Sequence, residues 1–234
     1  MSRRAPIVLA LAASVLFLGL GSWQVARRAW KLALIERVEQ RVHAPALPAP
    51  ARGAWAAVSV ASDEYRHVLV RGTFLHDRST LVQAVTERGP GYWLLTPLRQ
   101  ADGSVVLVNR GYVDPGWRPA PGPGSDPAPV SITGLLRISE PGGAFLHHND
   151  AAAGRWYSRD VMAIASARGL ADVAPYFVDA DAGSPGAEPV GGLTVVRFSN
   201  NHLVYALTWY ALALLAAAAA LRVARSAPEQ GRGA

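Results

Sequence analysis

Two uncharged apolar runs, at residues 5–26 and 203–221, constrain this chain more than any other feature. A helix rises about 1.5 Å per residue, so about 20 apolar residues are enough to cross the hydrocarbon core of a bilayer. Within the second run, only Tyr205, Thr208, Trp209 and Tyr210 carry polar side-chain atoms. Both runs are therefore predicted to be transmembrane helices.

The first run has an alternative interpretation as a cleaved signal peptide, because it follows a basic start at Arg3 and Arg4. The run is long for a signal core, however, and it lacks a convincing small-x-small cleavage site. We therefore expect a retained helix over residues 1–26. Helical spacing of apolar residues extends it to about His43, and residues 27–54 comprise this extension and a proline-rich linker.

Residues 55–199 are predicted to form a β-rich domain, because short apolar segments alternate there with Gly, Pro and Asp-Gly turn signals. We expect strands at 65–71, 81–85, 92–98, 105–111, 131–139, 176–179 and 193–198, and one short helix that Ser158 or Asp160 caps. The second membrane helix follows at 200–223, with a tail at 224–234. The predicted fold is thus a membrane α+β protein, with two transmembrane helices flanking a β-rich extracytoplasmic domain.

The charges around the second helix predict its orientation. Arg222, Arg225 and Arg232 follow the helix, whereas only Arg197 closely precedes it. By the positive-inside rule, both termini are cytoplasmic and the domain is periplasmic. The first helix disagrees, because a basic cluster at 27–31 follows it, but a long translocated domain tolerates flanking charge.

The net charge of +6 does not indicate a nucleic-acid partner. The basic residues cluster beside the two apolar runs, where they would meet lipid headgroups, and no basic helix with interleaved aromatic residues is present. The chain also has no cysteine, which excludes disulfides and thiolate metal sites. Membrane lipid is the partner that this composition favours.

Several motifs along the chain resemble those of one known family. Residues 21–27 (GSWQVAR) resemble its G-x-W-Q-x-x-R signature, and residues 200–210 (NNHLVYALTWY) resemble its most recognisable block. Between these two segments, five more resemble the domain motifs of the same family, and they occur in the same order: residues 65–74, 108–111, 149–160, 175–180 and 191–192. The family is that of the surfeit-locus cytochrome c oxidase assembly factors, and the resemblance covers nearly the whole chain.

This resemblance implies a function in the assembly of the terminal haem–copper oxidase. Members of the family are two-helix membrane proteins thought to bind haem a and to help place it in oxidase subunit I. The resemblance implies that His202 is the axial ligand of the haem iron, that Trp209 acts with it, and that subunit I and haem a synthase are protein partners. No mitochondrial targeting extension precedes the first helix, so a bacterial inner membrane is expected.

The residue pattern around His202 is compatible with that role. Tyr205, Ala206, Trp209 and Ala213 follow at i+3, i+4, i+7 and i+11, so they are expected on the same helix face as His202. His202 and Trp209 are separated by about 10 Å along the axis, which is comparable with the breadth of a porphyrin. Ala206 and Ala213 are expected to leave a shallow surface for a flat macrocycle.

The end of the first helix is expected to complete this site. If the two helices are antiparallel neighbours, Trp23, Gln24 and Arg27 lie at the same depth as His202. Either Arg27 or Arg28 would then supply a cation for a haem propionate.

Three other interpretations remain open, one of which is that the domain is a generic ligand sensor anchored by the two helices. A His, a Tyr and a Trp at a helix entrance also form an ordinary membrane-interface belt. Alternatively, the protein is a scaffold that grips subunit I through small residues of its second helix and binds no cofactor. Enzymatic activity is not expected, because the sequence shows no triad pattern, no Gly-rich phosphate cradle and no dinucleotide fingerprint.

Overall fold

The computed structural model describes residues 4–118, 128–144, 146–184, 186, 188–194 and 200–226. The helices are α1 (Arg4–Val42), α2 (Val60–Asp63), α3 (Val161–Ala167) and α4 (His202–Arg225). The strands are β1 (Leu47–Pro48), β2 (His67–Phe74), β3 (Thr80–Thr86), β4 (Gly89–Arg99), β5 (Val105–Val113), β6 (Val130–Ile138) and β7 (Val173–Ala180). The predicted fold class is confirmed: two long apolar helices flank a β-rich domain.

The chain forms two compact units, one helical and one mainly β. Residues 1–37 and 197–234 form the helical unit, and residues 38–196 form the domain. Helices α1 and α4 are each long and apolar enough to cross a membrane, and most of the residues in their apolar segments are exposed. Large exposed side chains such as Leu9, Leu16, Leu207 and Leu214 give these helices an apolar exterior that suits lipid.

The sheet of the domain closes on itself. Its strand order is β1-β2-β6-β7-β5-β4-β3, and β2 also pairs with β4, where Thr73 lies opposite Arg99 and Phe74 opposite Leu98. Strands β2, β6, β7, β5 and β4 therefore form a small barrel, with β1 and β3 attached at its margins. Such closure removes most of the exposed strand edges that would otherwise invite aggregation.

The two faces of the closed sheet support two apolar cores, as the period-two alternation of strands requires. The interior of the barrel receives side chains from all five strands of the ring, among them Val68, Leu98, Val106, Leu136 and Val178. The neighbouring residues Leu107 and Phe177 face the other way and pack with Trp156 and with Val161 and Ile164 of α3. Helix α3 thus covers one side of the barrel.

The segment predicted as a linker contributes to the sheet. Within residues 27–54, strand β1 pairs in parallel with β2, and the backbone N–H of Ala49 donates to the carbonyl oxygen of Leu69 at 3.1 Å. Pro48 is tolerated there because β1 lies at the margin of the sheet, where a missing donor costs little.

Of the strand expected at 193–198, residues 195–198 lie outside the described residues, as do Arg3, the last part of the tail and most of the Pro/Gly-rich loop before β6.

His67 connects three separate segments of the domain. Its Nδ1 lies 2.8 Å from the carbonyl oxygen of Ala44, and its Nε2 lies 2.8 Å from a carboxylate oxygen of Asp181. Both partners only accept hydrogen bonds, so both contacts are made fully by the protonated imidazole. Burial acts to lower the pKa of His67, but the hydrogen bonds to Asp181 and Ala44 outweigh it, and the pKa is raised above its usual value.

This arrangement predicts a pH-dependent stability of the domain. Because the folded pKa is raised, the contribution of His67 is fully present below about pH 6.5, its unfolded value, and is lost as the pH rises through the folded value. Thermal unfolding of the full chain should therefore show a melting temperature that falls on the alkaline side, and His67→Gln should flatten that fall. His148→Gln, which changes an exposed loop histidine, is the matched control. An unaltered pH profile in His67→Gln would contradict this role.

Candidate functional site

Helices α1 and α4 pair side by side and run antiparallel. From one end of the pair to the other, contacts join Gln24 to His202, Ser22 to Tyr210, Phe17 to Trp209, and Ser14 to Ala213. The later residues of α1 contact the beginning of α4 and the earlier residues contact positions farther along it, which defines the direction. The two helices are therefore antiparallel neighbours, which is the arrangement in which Gln24 and His202 were expected to lie at the same depth.

Small residues bring the two helices close together. Ala206, Ala213 and Ala220 recur every seven residues on α4 and are all buried, and Ser14 and Gly21 are buried seven residues apart on α1. A Cβ atom at Gly21 would lie 2.6 Å from the ring of Tyr210, so only glycine fits there without a shift. A seven-residue repeat of small residues is the pattern of a tightly packed helix pair.

His202 is the first residue of α4, and Gln24 orients its ring. The Nδ1 atom of His202 lies 2.7 Å from Oε1 of Gln24. Because an amide oxygen can only accept, Nδ1 carries the proton, and in the neutral imidazole the lone pair is then on Nε2. Within the part of the chain that the structure describes, no hydrogen bond to Nε2 is present. The ring therefore offers one nitrogen as a ligand while the other is held.

Trp209 belongs to the helix interface. Its ring stacks on Phe17 with a centroid separation of 5.6 Å and an interplanar angle of 26°. This contact fixes α4 against α1 about two turns beyond His202. Trp209 is therefore well placed to support the geometry of the His202 end of the pair.

An unsatisfied acceptor lies two residues before His202. The side-chain oxygen of Asn200 is buried, and it has no hydrogen-bond partner among the described residues. A buried polar atom without a partner costs free energy, so a group outside the described residues is expected to supply this hydrogen bond.

Three of the predicted site residues lie outside the helix interface. Trp23 is 58% exposed and Tyr205 is 54% exposed. Arg27 is exposed as well, and its guanidinium lies 4.2 Å from the ring centroid of Trp30. They surround the His202–Gln24 contact rather than forming it. Arg28, the alternative cation, is half-buried one turn beyond Gln24.

One sequence-based expectation is wrong. Ala206 and Ala213 were expected to leave a shallow surface for a macrocycle, but they are only 2% and 1% exposed. The packing of α1 covers them, because Ser14 donates a hydrogen bond to the carbonyl oxygen of Ala213 at 3.0 Å. A flat ligand at His202 must therefore use the exposed side of α4.

Sequence reasoning also missed the α1 residues of the interface. Ser14 and Phe17 were not singled out, and Gly21 was noted only as part of a family signature, although the seven-residue spacing of Ser14 and Gly21 matches that of the alanines on α4. Comparing the spacing of small residues in the two runs could have found them. Only the structure, however, shows which residue of α4 each of them contacts.

A second group of residues, within the domain, was also missed. Arg137 and Arg159 surround Asp179, which is 4% exposed although it lies in the apolar strand β7. Burial acts to lower the pKa of Arg137, but the charges of Asp179 and Glu64 outweigh it, and the pKa is raised. The signal in the sequence is the carboxylate of Asp179 within an apolar strand. A carboxylate that is buried in this way is stable only when positive charges pair with it.

Comparison with known proteins identifies the family. Residues 11–214 match the sequence profile of the SURF1 family. The chain belongs to this family. It is 37% identical to Surfeit locus protein 1 of Rattus norvegicus over 217 residues, which covers 83% of this chain and 67% of the rat protein. It is 39% identical to Surfeit locus protein 1 of Mus musculus with the same coverage.

A more distant relative supports the same membership over more of its length. The chain is 34% identical to the SURF1-like protein of Monosiga brevicollis, with 88% of this chain and 82% of the relative covered. The matched profile begins within α1 and ends within α4. The membership therefore extends across both apolar helices and the domain between them.

The close approach at Gly21 gives a testable prediction for the helix pair. In Gly21→Leu the added side chain meets the ring of Tyr210, and overpacking of this kind costs about 1–3 kcal/mol. Gly19→Leu is a matched control, because a Cβ at Gly19 meets nothing within 4 Å. The chain has no cysteine, so an oxidised cross-link between Ser14→Cys and Ala213→Cys reports pairing alone. The cross-link should form more slowly with Gly21→Leu than with Gly19→Leu, and equal rates would contradict this packing.

Proposed function

We propose that this protein is an assembly factor for cytochrome c oxidase, which binds haem a through His202 and aids its insertion into oxidase subunit I. The observation that carries the proposal is the hydrogen bond from Nδ1 of His202 to Gln24 in the paired helices. It leaves Nε2 as the ligand nitrogen at the entrance of an apolar helix. Membership of the SURF1 family supports the same assignment.

The residues present fit a haem. Haem iron takes an axial imidazole, and metal-bound histidines usually donate their other N–H to a protein oxygen, as His202 does to Gln24. The exposed side of α4 next to His202 carries Leu203, Val204 and Tyr205, which form an apolar surface. When bound, haem a would supply the redox-active group that the oxidase requires.

Each neighbouring residue has a defined task in this proposal. Gln24 holds the proton on Nδ1 of His202 and so fixes the orientation of the ring. Trp209, stacked on Phe17, holds the start of α4 against α1. Arg27 and Arg28 supply positive charge for propionates, and Trp23 and Tyr205 flank the site with aromatic surface.

The proposed location is a bacterial inner membrane. The arginines in the last turn of α4 favour a cytoplasmic C-terminus, so the proposed topology has the domain in the periplasm and both termini in the cytoplasm. Subunit I is the proposed protein partner, with haem a synthase as the donor from which the haem is received.

The alternative is a scaffold that binds subunit I and no cofactor. Of the small residues that favoured it, Ala206, Ala213 and Ala220 are already buried within the protein. Ala211, Ala218 and Ala219 stay exposed on α4 and would form the surface for a helix of subunit I. The two functions differ in whether the purified protein carries haem.

The first prediction from this proposal concerns His202. When the protein is produced together with haem a synthesis and purified, the wild type should show the absorption spectrum of haem a. His202→Ala should lose most of that haem, because the axial ligand is removed, whereas the loop variant His148→Ala should keep it. Wild-type occupancy and spectrum in His202→Ala would refute ligation by this residue. A colourless wild type that co-purifies with subunit I would instead support the scaffold.

The second prediction concerns Gln24. Loss of an outer-shell partner of a metal ligand typically costs about 10- to 100-fold in affinity, so Gln24→Leu should bind haem a at least about ten-fold more weakly. Gln24→Glu keeps an acceptor and strengthens it, so it should retain the haem and lower the reduction potential. The measurements are a haem titration and a spectroelectrochemical titration. If both variants bind haem with unchanged affinity and potential, Gln24 does not orient His202.

A further inference from the structure

The domain contains a cavity that the proposed function does not use. Its volume is about 430 Å³, within the range of small-molecule sites. It opens between the β3–β4 turn, the end of β5 and the segment that follows β7. All of its lining residues belong to the domain, so the cavity is a property of this unit alone.

Two half-buried arginines and one buried carboxylate form the floor of the cavity. Asp179 accepts hydrogen bonds from Arg137 at 3.0 Å, from Arg159 at 3.1 Å and from Asn109 at 2.7 Å. The hydroxyl of Thr194 donates a further bond to it at 2.9 Å. Both oxygens of Asp179 are thus fully occupied, so this carboxylate has little capacity to bind a cation or another donor.

The two arginines, in contrast, have donors to spare. A guanidinium carries five N–H groups. Arg137 uses three of its nitrogens, towards Glu64, Asp179 and Glu140. Arg159 likewise binds Glu140 and Asp179 through its three nitrogens. Among the described residues, each terminal nitrogen of Arg137 and Nη2 of Arg159 therefore keep one N–H without a partner, whereas Nη1 of Arg159 also lies 3.4 Å from the second oxygen of Asp179.

The lining of the cavity carries three guanidiniums and two carboxylates. Arg88, on the β3–β4 turn, adds a third, exposed guanidinium to the wall. Glu64 and Glu140 neutralise the floor from behind and do not line the cavity. Glu87 is the second carboxylate on the lining besides Asp179, and it has an interaction of its own. An incoming group therefore meets spare donors chiefly from arginines.

The wall also carries an aromatic ring and two aliphatic side chains. Trp93 contributes an indole ring, and the guanidinium of Arg159 lies 6.0 Å from its centroid. Leu193 and Val85 add aliphatic surface. At Gly111 the backbone of Val190 passes too close for a side chain, because a Cβ atom there would lie 2.2 Å from the carbonyl oxygen of Val190. A planar molecule can lie against Trp93 with its charged group towards the arginines.

We infer that this cavity binds the carboxylate of a small aromatic molecule, which Arg88, Arg137 and Arg159 hold while Trp93 stacks on its ring. Arginine pairs with carboxylates through parallel N–H donors, and the two guanidiniums on the floor are already oriented by Asp179 and Glu140. The site is independent of haem binding at His202. The carboxylate has two chemical sources, a small free acid or the propionate of a porphyrin.

Matched pairs of acid and amide test this inference on the full chain in lipid nanodiscs. The probes are benzoate, 2-naphthoate and indole-3-acetate, each titrated by calorimetry beside its neutral amide, with empty nanodiscs as the blank. The acids should bind at least about ten-fold more tightly than the amides, since one charge-assisted contact is worth about 1.5–3 kcal/mol. Zinc protoporphyrin and its dimethyl ester are then used as competitors, and competition by the free acid alone identifies a porphyrin propionate as the source.

Variants separate the cavity from general charge effects. Arg88→Gln should weaken binding of the acids about ten-fold and leave the amides unchanged, since Arg88 is exposed and its guanidinium makes no hydrogen bond or ion pair among the described residues. Arg99→Gln removes an exposed arginine of β4 that does not line the cavity, so it should change nothing. The inference is overturned if none of the acids binds more tightly than its amide, or if Arg88→Gln and Arg99→Gln behave alike. In that case the buried charges serve only to hold β6 and β7 together.

Discussion

The close packing of α1 against α4 is the constraint on which the proposed site depends. Gly21 allows the ring of Tyr210 to approach, and the buried alanines of α4 allow the two backbones to do the same. Only this approach brings Gln24 within hydrogen-bond distance of His202, although 178 positions separate them in the chain. Without it, His202 would be a single imidazole at a helix entrance, free to rotate and to bond with water.

In the domain, the corresponding constraint is the pairing of a buried charge. A closed sheet has few free edges, but the carboxylate of Asp179 is buried in its apolar strand β7 and must be paired. Asp179 is paired by Arg137 and Arg159, which Glu140 in turn orients. The same pairing that stabilises buried charge leaves guanidinium donors facing a cavity. Structural and binding roles are therefore compatible in one cluster.

The sequence predicted the elements well and their contacts poorly. Apolar runs and Asp-Gly or Gly-Pro turns specify local structure, so both long helices, most strands of the domain and the cap at Asp160 were predictable. Closure of the sheet through β2 and β4 depends on non-local pairing, which no local pattern encodes. The helix face of His202 was predicted from periodicity, but periodicity does not say which neighbour covers it. For that reason Ala206 and Ala213 were assigned to a ligand and are in fact covered by α1.

The central claim is that the imidazole of His202 ligates haem iron through the nitrogen that Gln24 leaves free. Electron–nuclear double resonance on the ferric, haem a-loaded protein tests it most directly when the protein is labelled with ¹⁵N only at histidine. The porphyrin nitrogens are then ¹⁴N, and any strong ¹⁵N coupling comes from a protein imidazole. The account predicts one such coupling, of the size of an axial ligand, that disappears in His202→Ala. A spectrum without strong ¹⁵N coupling, or with one that survives in His202→Ala, would contradict it.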